Sequence, residues 1–215
     1  MLSHPRKANW VAETIALIDY GAGNLYSVNN ALKAIGATGV AITADRDIVA
    51  RADRIVLPGV GSFKACAKGL RAIPGLVDAM ERRVRRDAVP FLGICVGMQL
   101  LATRGLEHGE TGGLDWIPGK VRAIEAADKA IKVPHMGWND VTPTQPGPIA
   151  EGEAYFLHAY HFDAVDPEHI AAMTDHGGPL VAAVARDTMV GVQFHPEKSQ
   201  AYGLRLLERF LAWKP

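Results

Sequence analysis

The first half of the sequence alternates short apolar runs with segments of helical periodicity, and this alternation limits the fold more than any other feature. The runs Thr14–Asp19, Arg54–Leu57 and Val89–Ile94 are short and contain or precede glycines, a pattern typical of buried strands. Between them, apolar residues recur at steps of three and four in Leu25–Ile35 and Phe63–Arg71, as on one face of a helix. Strands that alternate with helices in this way predict a mostly parallel sheet with helices on both faces.

The second half has a different pattern. The segment Trp116–Gly152 is rich in glycine and proline and has little helical periodicity, and Ser199–Trp213 has the periodicity of a final helix. Four closely spaced strand-like segments lie between them, at Ala154–Phe162, Ile170–Thr174, Leu180–Arg186 and Met189–His195. We therefore predict an α/β fold of three layers, with an antiparallel section added to the sheet in the second half. Near the start, Asn24 is placed to cap the helix that follows the first strand.

Length and charge narrow the class of protein. A chain of 215 residues fits one domain, which we place at residues 14–215 after an N-terminal extension at residues 1–13. The 23 Lys and Arg residues balance the 23 Asp and Glu residues, which argues against binding to nucleic acid or to an anionic membrane surface. No apolar run is long enough to span a bilayer. Two cysteines make no disulfide framework and fit a reducing compartment, so we expect a cytoplasmic protein.

A glycine pair and a histidine pair resemble ligand-binding motifs without completing them. Gly21-Ala22-Gly23 follows a strand, but a dinucleotide-binding motif needs a third glycine where Tyr26 stands. His158 and His161 are three residues apart on a predicted strand, so their side chains point to opposite faces and are unsuited to share one metal ion. We therefore expect neither a metal nor a cofactor.

Cys95 is the candidate nucleophile. It lies in Gly93-Ile94-Cys95-Val96-Gly97, at the predicted junction of a strand with a helix that extends through Thr103. Glycines two residues before and after a nucleophile allow the sharp, strained turn that exposes its side chain. The start of a helix favours the thiolate, and the Val96 amide can donate to an oxyanion. A lone cysteine is more commonly a buried packing residue, which is our interpretation of Cys66, but the two glycines favour a nucleophile at Cys95.

His195 is the candidate base for this thiol. Glu197 lies two residues further along an extended segment, so both side chains project the same way and the carboxylate can orient the imidazole. Cys95, His195 and the glycine-rich turn Pro58–Gly61 each follow a predicted strand, and the carboxyl ends of parallel strands share one edge of a sheet. A nucleophile, an oriented base and backbone oxyanion donors are the parts needed for acyl transfer.

These motifs resemble those of the class I, triad-type glutamine amidotransferases. The matching segments are Leu92–Gln99, Leu57–Gly61 and Gly191–Glu197. Further segments resemble the glutaminase subunits of imidazole glycerol phosphate synthases, and the similarity extends from about Ile15 to Phe210; they are Ile18–Leu25, Val133–Asn139, Tyr155–His158 and Pro196–Gln200. The resemblance implies the single-domain, three-layer fold of this amidotransferase class.

The resemblance also implies a histidine-biosynthesis enzyme that hydrolyses L-glutamine through a γ-glutamyl thioester on Cys95, with His195 and Glu197 completing a catalytic triad. The ammonia would pass to a (β/α)8-barrel cyclase subunit, the partner in a heterodimer, which makes imidazole glycerol phosphate and an aminoimidazole carboxamide ribotide. The other implied site residues are Val60 and Val96 at the oxyanion, Gly59, Gly61, Gln99, Ala159 and Tyr160 at glutamine, and Trp138, Asn139, Tyr155 and Lys198 toward the partner.

Two departures from the family pattern and three alternatives remain open at this point. Ala159 stands where the family commonly has Ser or Thr, so any role there is limited to the main chain, and Val96 replaces a more usual Leu. The alternatives are an amidotransferase that feeds another acceptor, a stand-alone cysteine hydrolase and an inactive interaction module. The segment Val133–Asn139 argues against the first, and the intact Cys95, His195 and Glu197 argue against the last.

Overall fold

The computed structural model describes residues 13–125 and 131–215, which form thirteen strands and six α-helices. The strands are β1 (Ile15–Ile18), β2 (Val40–Thr43), β3 (Arg54–Gly59), β4 (Phe91–Cys95), β5 (Arg104–Gly105), β6 (Thr111–Gly112), β7 (Gly119–Ala123), β8 (His135–Pro143), β9 (Gly152–His158), β10 (Tyr160–Ala164), β11 (Ile170–Asp175), β12 (Pro179–Arg186) and β13 (Met189–Val192). The helices are α1 (Leu25–Ala34), α2 (Arg46–Val49), α3 (Phe63–Ala72), α4 (Leu76–Glu81), α5 (Val96–Gln99) and α6 (Gln200–Ala212), with a π-helical turn at Arg82–Arg86 and 3-10 turns at Pro167–His169 and Pro196–Lys198.

Nine strands form one large sheet in the order β2-β1-β3-β4-β13-β12-β11-β8-β9. The five strands from β2 to β13 are parallel, and each later pair is antiparallel. Every residue of β1, β3 and β4 is buried, as expected for parallel strands covered on both faces. Helix α1 packs against α6, while α3 packs against α4, which also contacts α2. The predicted α/β fold with an added antiparallel section is confirmed.

A second, four-stranded sheet in the order β10-β7-β5-β6 was not predicted from the sequence. The segment Ala154–Phe162, which we predicted as one strand, is two strands in different sheets, with the break at Ala159. The amide of Ile124 donates to the Ala159 carbonyl at 2.9 Å, where the chain passes from β9 to pair with β7. This break places the residues after β9 beside the carboxyl edge of the parallel strands.

The helix after Cys95 is shorter than expected. It ends at Gln99 rather than at Thr103, because the amides of Leu101 and Ala102 donate to carbonyls three residues back instead of four. Such tight turns end an α-helix early.

The start of the chain lies mostly outside the described residues. The predicted extension at residues 1–13 contributes only Glu13, whose Oε2 accepts from Nε of the buried Arg54 at 2.7 Å, so the extension and the domain boundary stay predictions. No helix in residues 13–125 and 131–215 combines the length and apolar character needed to cross a lipid bilayer.

Candidate active site

Three chain segments that are distant in sequence meet at the carboxyl edge of the parallel strands. Strands β3, β4 and β13 are neighbours, with Gly59 opposite Cys95 and Val192 opposite Ile94. A cavity of about 310 Å³ opens at this edge, and its lining comprises Val60, Gly61, Cys95, Val96, Gln99, Glu107, Leu157, His158, Ala159, Tyr160, His195 and Lys198. The structure thus brings the candidate nucleophile and the candidate base into one cavity.

Cys95 has the strained backbone that the sequence pattern predicts. Its φ of 54° lies in a region that non-glycine residues rarely adopt, at the point where β4 turns into α5. A β-carbon on Gly93 would lie 2.7 Å from the Gly97 carbonyl oxygen, and one on Gly97 would overlap the Leu57 carbonyl oxygen. Only glycines allow strand and helix to pass this closely, and the turn presents the thiol to the cavity.

His195 and Glu197 form a buried hydrogen-bonded pair. Nδ1 of His195 lies 2.9 Å from Oε1 of Glu197, and both side chains are at most 4% exposed. Burial by itself lowers the pKa of His195, but the hydrogen bonds and Coulombic attraction of Cys95 and Glu197 outweigh it and raise the pKa to about 9. The ring therefore holds a proton at neutral pH, between the thiol and the carboxylate.

Asn24 contacts this pair instead of capping its helix. The expected cap is wrong, because the Asn24 side chain makes no hydrogen bond to α1. Its Nδ2 instead donates to Oε1 of Glu197 at 3.4 Å, across 173 positions of sequence. Nothing local in the sequence distinguishes this role from capping, since both place an amide side chain at the same helix start.

The backbone of His195 is fixed by Ser199 and Tyr155. The Ser199 hydroxyl donates to the His195 carbonyl at 2.7 Å and accepts from the Tyr155 amide at 2.9 Å, while the His195 amide donates to the Tyr155 carbonyl at 2.9 Å. Sequence reasoning missed Ser199, which is fully buried. These bonds hold the His195 backbone against β9, so the position of the imidazole does not depend on Glu197 alone.

Two buried glutamines connect the thiol to the far wall of the cavity. Nε2 of Gln193 lies 3.7 Å from the Cys95 sulfur, and its Oε1 accepts from Nε2 of Gln99 at 3.0 Å. Gln99 also donates to the Tyr160 carbonyl at 3.0 Å. Sequence reasoning included Gln99 but missed Gln193, for which the available signal was a polar residue in an apolar strand segment.

The turn Pro58–Gly61 is held by two buried side chains. The Tyr20 hydroxyl donates to the Pro58 carbonyl at 2.8 Å, and the Cys66 thiol donates to the Val60 carbonyl at 3.4 Å. Burial raises the pKa of both groups, which keeps them protonated and able to donate. Cys66 is fully buried, as its packing interpretation expects, and it has this hydrogen bond in addition.

The structure places four of the five predicted glutamine-site residues on the cavity wall: Gly61, Gln99, Ala159 and Tyr160. Gly59 is the exception and lies behind the wall, since a β-carbon there would be 2.6 Å from the Gly97 amide nitrogen and 2.8 Å from the Tyr20 hydroxyl. Its requirement for glycine is therefore one of packing. Glu107 lines the cavity without having been predicted, and its Oε2 accepts from the Phe63 amide at the start of α3.

Three of the four residues predicted to face a partner cluster on one surface. Trp138 packs edge-on against Tyr155 at 6.2 Å between ring centres, and the Lys198 ammonium lies 6.0 Å from the Tyr155 ring centre. Asn139 is separate from them, because neighbouring residues of a strand face opposite sides. Its side chain points to the other face of β8 and donates to His135 and to the Asp175 carbonyl.

Within the described ranges, no three His, Cys, Asp or Glu side chains are arranged to hold a metal ion.

Comparison with known proteins identifies relatives over nearly the full chain. A family model described as glutamine amidotransferase class-I matches residues 16–213. The imidazole glycerol phosphate synthase subunit HisH of Zymomonas mobilis subsp. mobilis is 54% identical, over 96% of this chain and 99% of that protein, and HisH of Ruegeria pomeroyi is 53% identical, over 93% and 99%. A solved structure described as a glutamine amidotransferase superposes with a TM-score of 0.72 at 19% identity, over 92% of this chain and 97% of that one, which supports the fold alone.

Proposed function

The chain belongs to the class-I glutamine amidotransferase family, and we propose that it is the subunit of an imidazole glycerol phosphate synthase that hydrolyses L-glutamine and supplies the ammonia. Cys95 is the nucleophile, His195 the acid and base, and Glu197 the group that orients the imidazole. The observation that carries this proposal is the strained turn at Cys95, which presents the thiol to a cavity shared with His195.

The first half of the reaction makes a thioester. His195 carries the proton that Cys95 gives up, and the sulfur attacks the side-chain carbonyl carbon of glutamine, which forms the C–S bond. The amides of Val96 and of the turn around Val60 stabilise the oxyanion. His195 then gives its proton to the amide nitrogen, the C–N bond breaks, and ammonia leaves. The raised pKa of His195 suits this step, since the ring keeps the proton until the leaving nitrogen accepts it.

The second half regenerates the thiol. His195, now neutral, takes a proton from water as the water oxygen attacks the γ-glutamyl carbonyl. The C–S bond then breaks, glutamate leaves, and the proton returns to the Cys95 sulfur. Glu197 bonds Nδ1 of the imidazole and so leaves Nε2 for the proton transfers of both halves.

The partner is a (β/α)8-barrel cyclase subunit, which uses the ammonia to make imidazole glycerol phosphate and an aminoimidazole carboxamide ribotide. We propose that it binds the exposed side chains of β8 and β9 beside the cavity, because Met136, Trp138 and Leu157 form an apolar surface there. Tyr155 and Lys198 continue this surface toward the cavity mouth. The cytoplasm is the compartment that we propose for this reaction, as the sequence with its two free cysteines favours.

The test is a glutaminase assay with and without the purified cyclase subunit and its phosphoribulosyl-formimino nucleotide substrate. We expect slow glutamate release by the isolated chain and strong activation in the complex. Cys95→Ala abolishes glutamate release but leaves ammonium chloride able to support product formation by the complex. A glutamine-like electrophile labels Cys95 and not Cys66.

The alternatives give different results in the same assay. Rapid turnover of glutamine, or of another amide, by the isolated chain without activation indicates a stand-alone cysteine hydrolase. Glutaminase activity that the cyclase does not change indicates another acceptor. Cys95→Ala with unchanged glutamate release overturns the assignment of the nucleophile.

A further inference from the structure

A line of hydrogen-bonded side chains lies on the buried face of β8 and β9, directly behind the apolar surface. Nδ2 of Asn139 lies 3.0 Å from Nε2 of His135, and Nδ1 of His135 lies 3.0 Å from Nε2 of His158. Nδ1 of His158 lies 2.9 Å from the Tyr160 carbonyl oxygen. The line therefore runs from the middle of β8 to the wall of the glutamine cavity.

The chemistry of the end groups fixes the direction of every bond. The Tyr160 carbonyl can only accept, so His158 donates through Nδ1 and leaves Nε2 free to accept. His135 then donates from Nδ1, and its bare Nε2 accepts from Asn139. The orientation of the Asn139 amide is itself set, since Nδ2 also donates to the Asp175 carbonyl at 2.7 Å and Oδ1 accepts from the Asp140 amide at 2.9 Å. Each imidazole must be neutral and protonated on Nδ1.

The surroundings of both rings agree with this neutral state. Burial lowers the pKa of His158 to about 3, and burial together with the neighbouring His176 lowers that of His135 to about 4. His135 is stacked between the Phe156 ring at 4.6 Å and the His176 ring at 4.1 Å, so it has little freedom to turn.

The Tyr160 carbonyl is where this line meets the catalytic groups. It accepts from Nε2 of Gln99 as well as from His158, and Gln99 leads through Gln193 to the Cys95 sulfur. Ala159 and Tyr160 line the cavity between these donors. The His158 bond therefore acts directly on the cavity wall, whereas Cys95 is three hydrogen bonds further along.

We propose that His158 is a positioning residue that holds the Ala159–Tyr160 wall of the glutamine cavity through its Nδ1–H, and that His135 acts through it by fixing its ring. The inference rests on the proposed glutaminase function, in which this wall contacts glutamine. It assigns to the two histidines a role in substrate binding rather than in bond making.

Two matched substitutions separate the donor to Tyr160 from the other properties of His158. An Asn side chain places its amide nitrogen near the position of Nδ1 and keeps the donor, whereas Gln extends one bond further, near Nε2, and loses it. In the complex with the cyclase subunit, we expect His158→Gln to raise the KM for glutamine about 3- to 10-fold, the effect of one lost hydrogen bond. We expect His158→Asn to keep KM within about 2-fold. The kcat of both variants stays near that of the wild type.

The role of His135 is tested by coupling. His135→Gln removes the donor to His158 and raises KM in the wild-type background, but adds nothing in the His158→Asn background, where the acceptor is already gone. Equal KM values for His158→Asn and His158→Gln, or independent effects of His135→Gln in the two backgrounds, overturn the proposal.

A measurement on the unaltered protein keeps the inference testable if the variants do not fold. Nitrogen NMR of the chain labelled in its histidines distinguishes a ring protonated on Nδ1 from one protonated on Nε2. We expect both His135 and His158 to carry the proton on Nδ1 at neutral pH, and a proton on Nε2 of either ring contradicts the bond directions. The NMR result does not depend on catalytic turnover, so it tests the bond directions alone. Absence of glutaminase activity in the wild-type complex counts against the proposed function instead.

Discussion

At the scale of single residues, the proposed nucleophile is separate from the groups that position the proposed base. Cys95 has a strained backbone and a thiol in the cavity, whereas Glu197 is buried behind the imidazole and is not part of the cavity wall. Asn24 and Ser199 hold the carboxylate and the His195 backbone in turn. Loss of an orienting group therefore leaves a working nucleophile in place.

The first prediction compares Glu197→Gln with Cys95→Ala. We expect both variants to fold, and we expect Glu197→Gln to lose roughly two orders of magnitude less kcat than Cys95→Ala, because it disturbs the imidazole orientation and removes no reacting atom. Glutamate release by the complex measures the difference, and circular dichroism checks the fold. Equal losses contradict the division of roles between the two residues.

The second prediction concerns the oxyanion turn. Tyr20→Phe removes the hydroxyl that donates to the Pro58 carbonyl and leaves the ring volume unchanged. We expect kcat to fall about 3- to 10-fold, with KM for glutamine nearly constant. Without this hydrogen bond the turn Pro58–Gly61 is held less firmly, so its amides stabilise the oxyanion less well.

Tyr202→Phe is the matched control for Tyr20→Phe. Tyr202 is also buried, and its hydroxyl donates to the Ala150 carbonyl at 2.7 Å, away from the cavity. Both variants lose similar thermal stability, but only Tyr20→Phe loses kcat. The same kcat in both variants means that the Tyr20 bond serves stability alone.

At the scale of elements, the features that could be predicted correctly are those that depend on the local sequence pattern. Strands β1, β3 and β4 are buried on both faces and therefore form continuous apolar runs, and the nucleophile turn shows its two glycines within five residues. The split of β9 from β10 could not be predicted, because it depends on the pairing of β10 with β7, which is distant in sequence. The early end of α5 likewise depends on turns that local periodicity does not specify.

The same reasoning explains which site residues were found. Cys95, His195 and Glu197 lie in short motifs whose spacing predicts the roles that we propose for them. Gln193 and Ser199 act through hydrogen bonds to sulfur and backbone atoms that only the assembled sheet brings near. Tertiary contact, rather than residue type, decides their function.

The third prediction is that the β8–β9 region loses stability in mild acid. The folded-state pKa values of His135 and His158, about 4 and about 3, lie below the ordinary value of 6.5. Below pH 6.5 the unfolded chain therefore binds more protons than the folded chain, and the free energy of unfolding falls as pH decreases. The expected loss is about 1 kcal/mol per histidine for each pH unit. His161, whose pKa burial also lowers, adds to it.

Urea unfolding at about pH 6.5 and about pH 5.5 measures this slope. His195 contributes little in this window, because its pKa is raised from 6.5 to about 9: its stabilisation is nearly complete below pH 6.5 and is lost as pH rises from 6.5 through 9. His158→Asn removes one titrating group, so the free energy of unfolding of this variant changes less steeply with pH, by the equivalent of about one proton. Equal stability at the two pH values in the wild-type chain contradicts the neutral state of these rings.

At the scale of the whole molecule, the apolar surface and the buried histidines of β8 and β9 lie on two faces of the same strands, beside the catalytic edge. The side chains of β8 and β9 alternate, so that His135 and His158 face inward while Met136, Trp138 and Leu157 are exposed. A partner bound to the outer face therefore sits one residue away from the groups that line the glutamine cavity. This arrangement suits a subunit that hands its product to another protein.

The fourth prediction tests that surface. Trp138 is 47% exposed, packs edge-on against Tyr155 and shares a strand face with Met136, and tryptophan is among the residue types that dominate interfaces. We expect Trp138→Ala to weaken binding to the cyclase subunit about 10-fold or more, measured by isothermal titration calorimetry. Val165→Ala is the control, since Val165 is 76% exposed but lies next to β10 in the small sheet, and its Kd stays unchanged. Because Trp138 does not line the cavity, covalent labelling of Cys95 by the glutamine-like electrophile in the isolated chain keeps its rate. Wild-type affinity of Trp138→Ala places the partner on another surface.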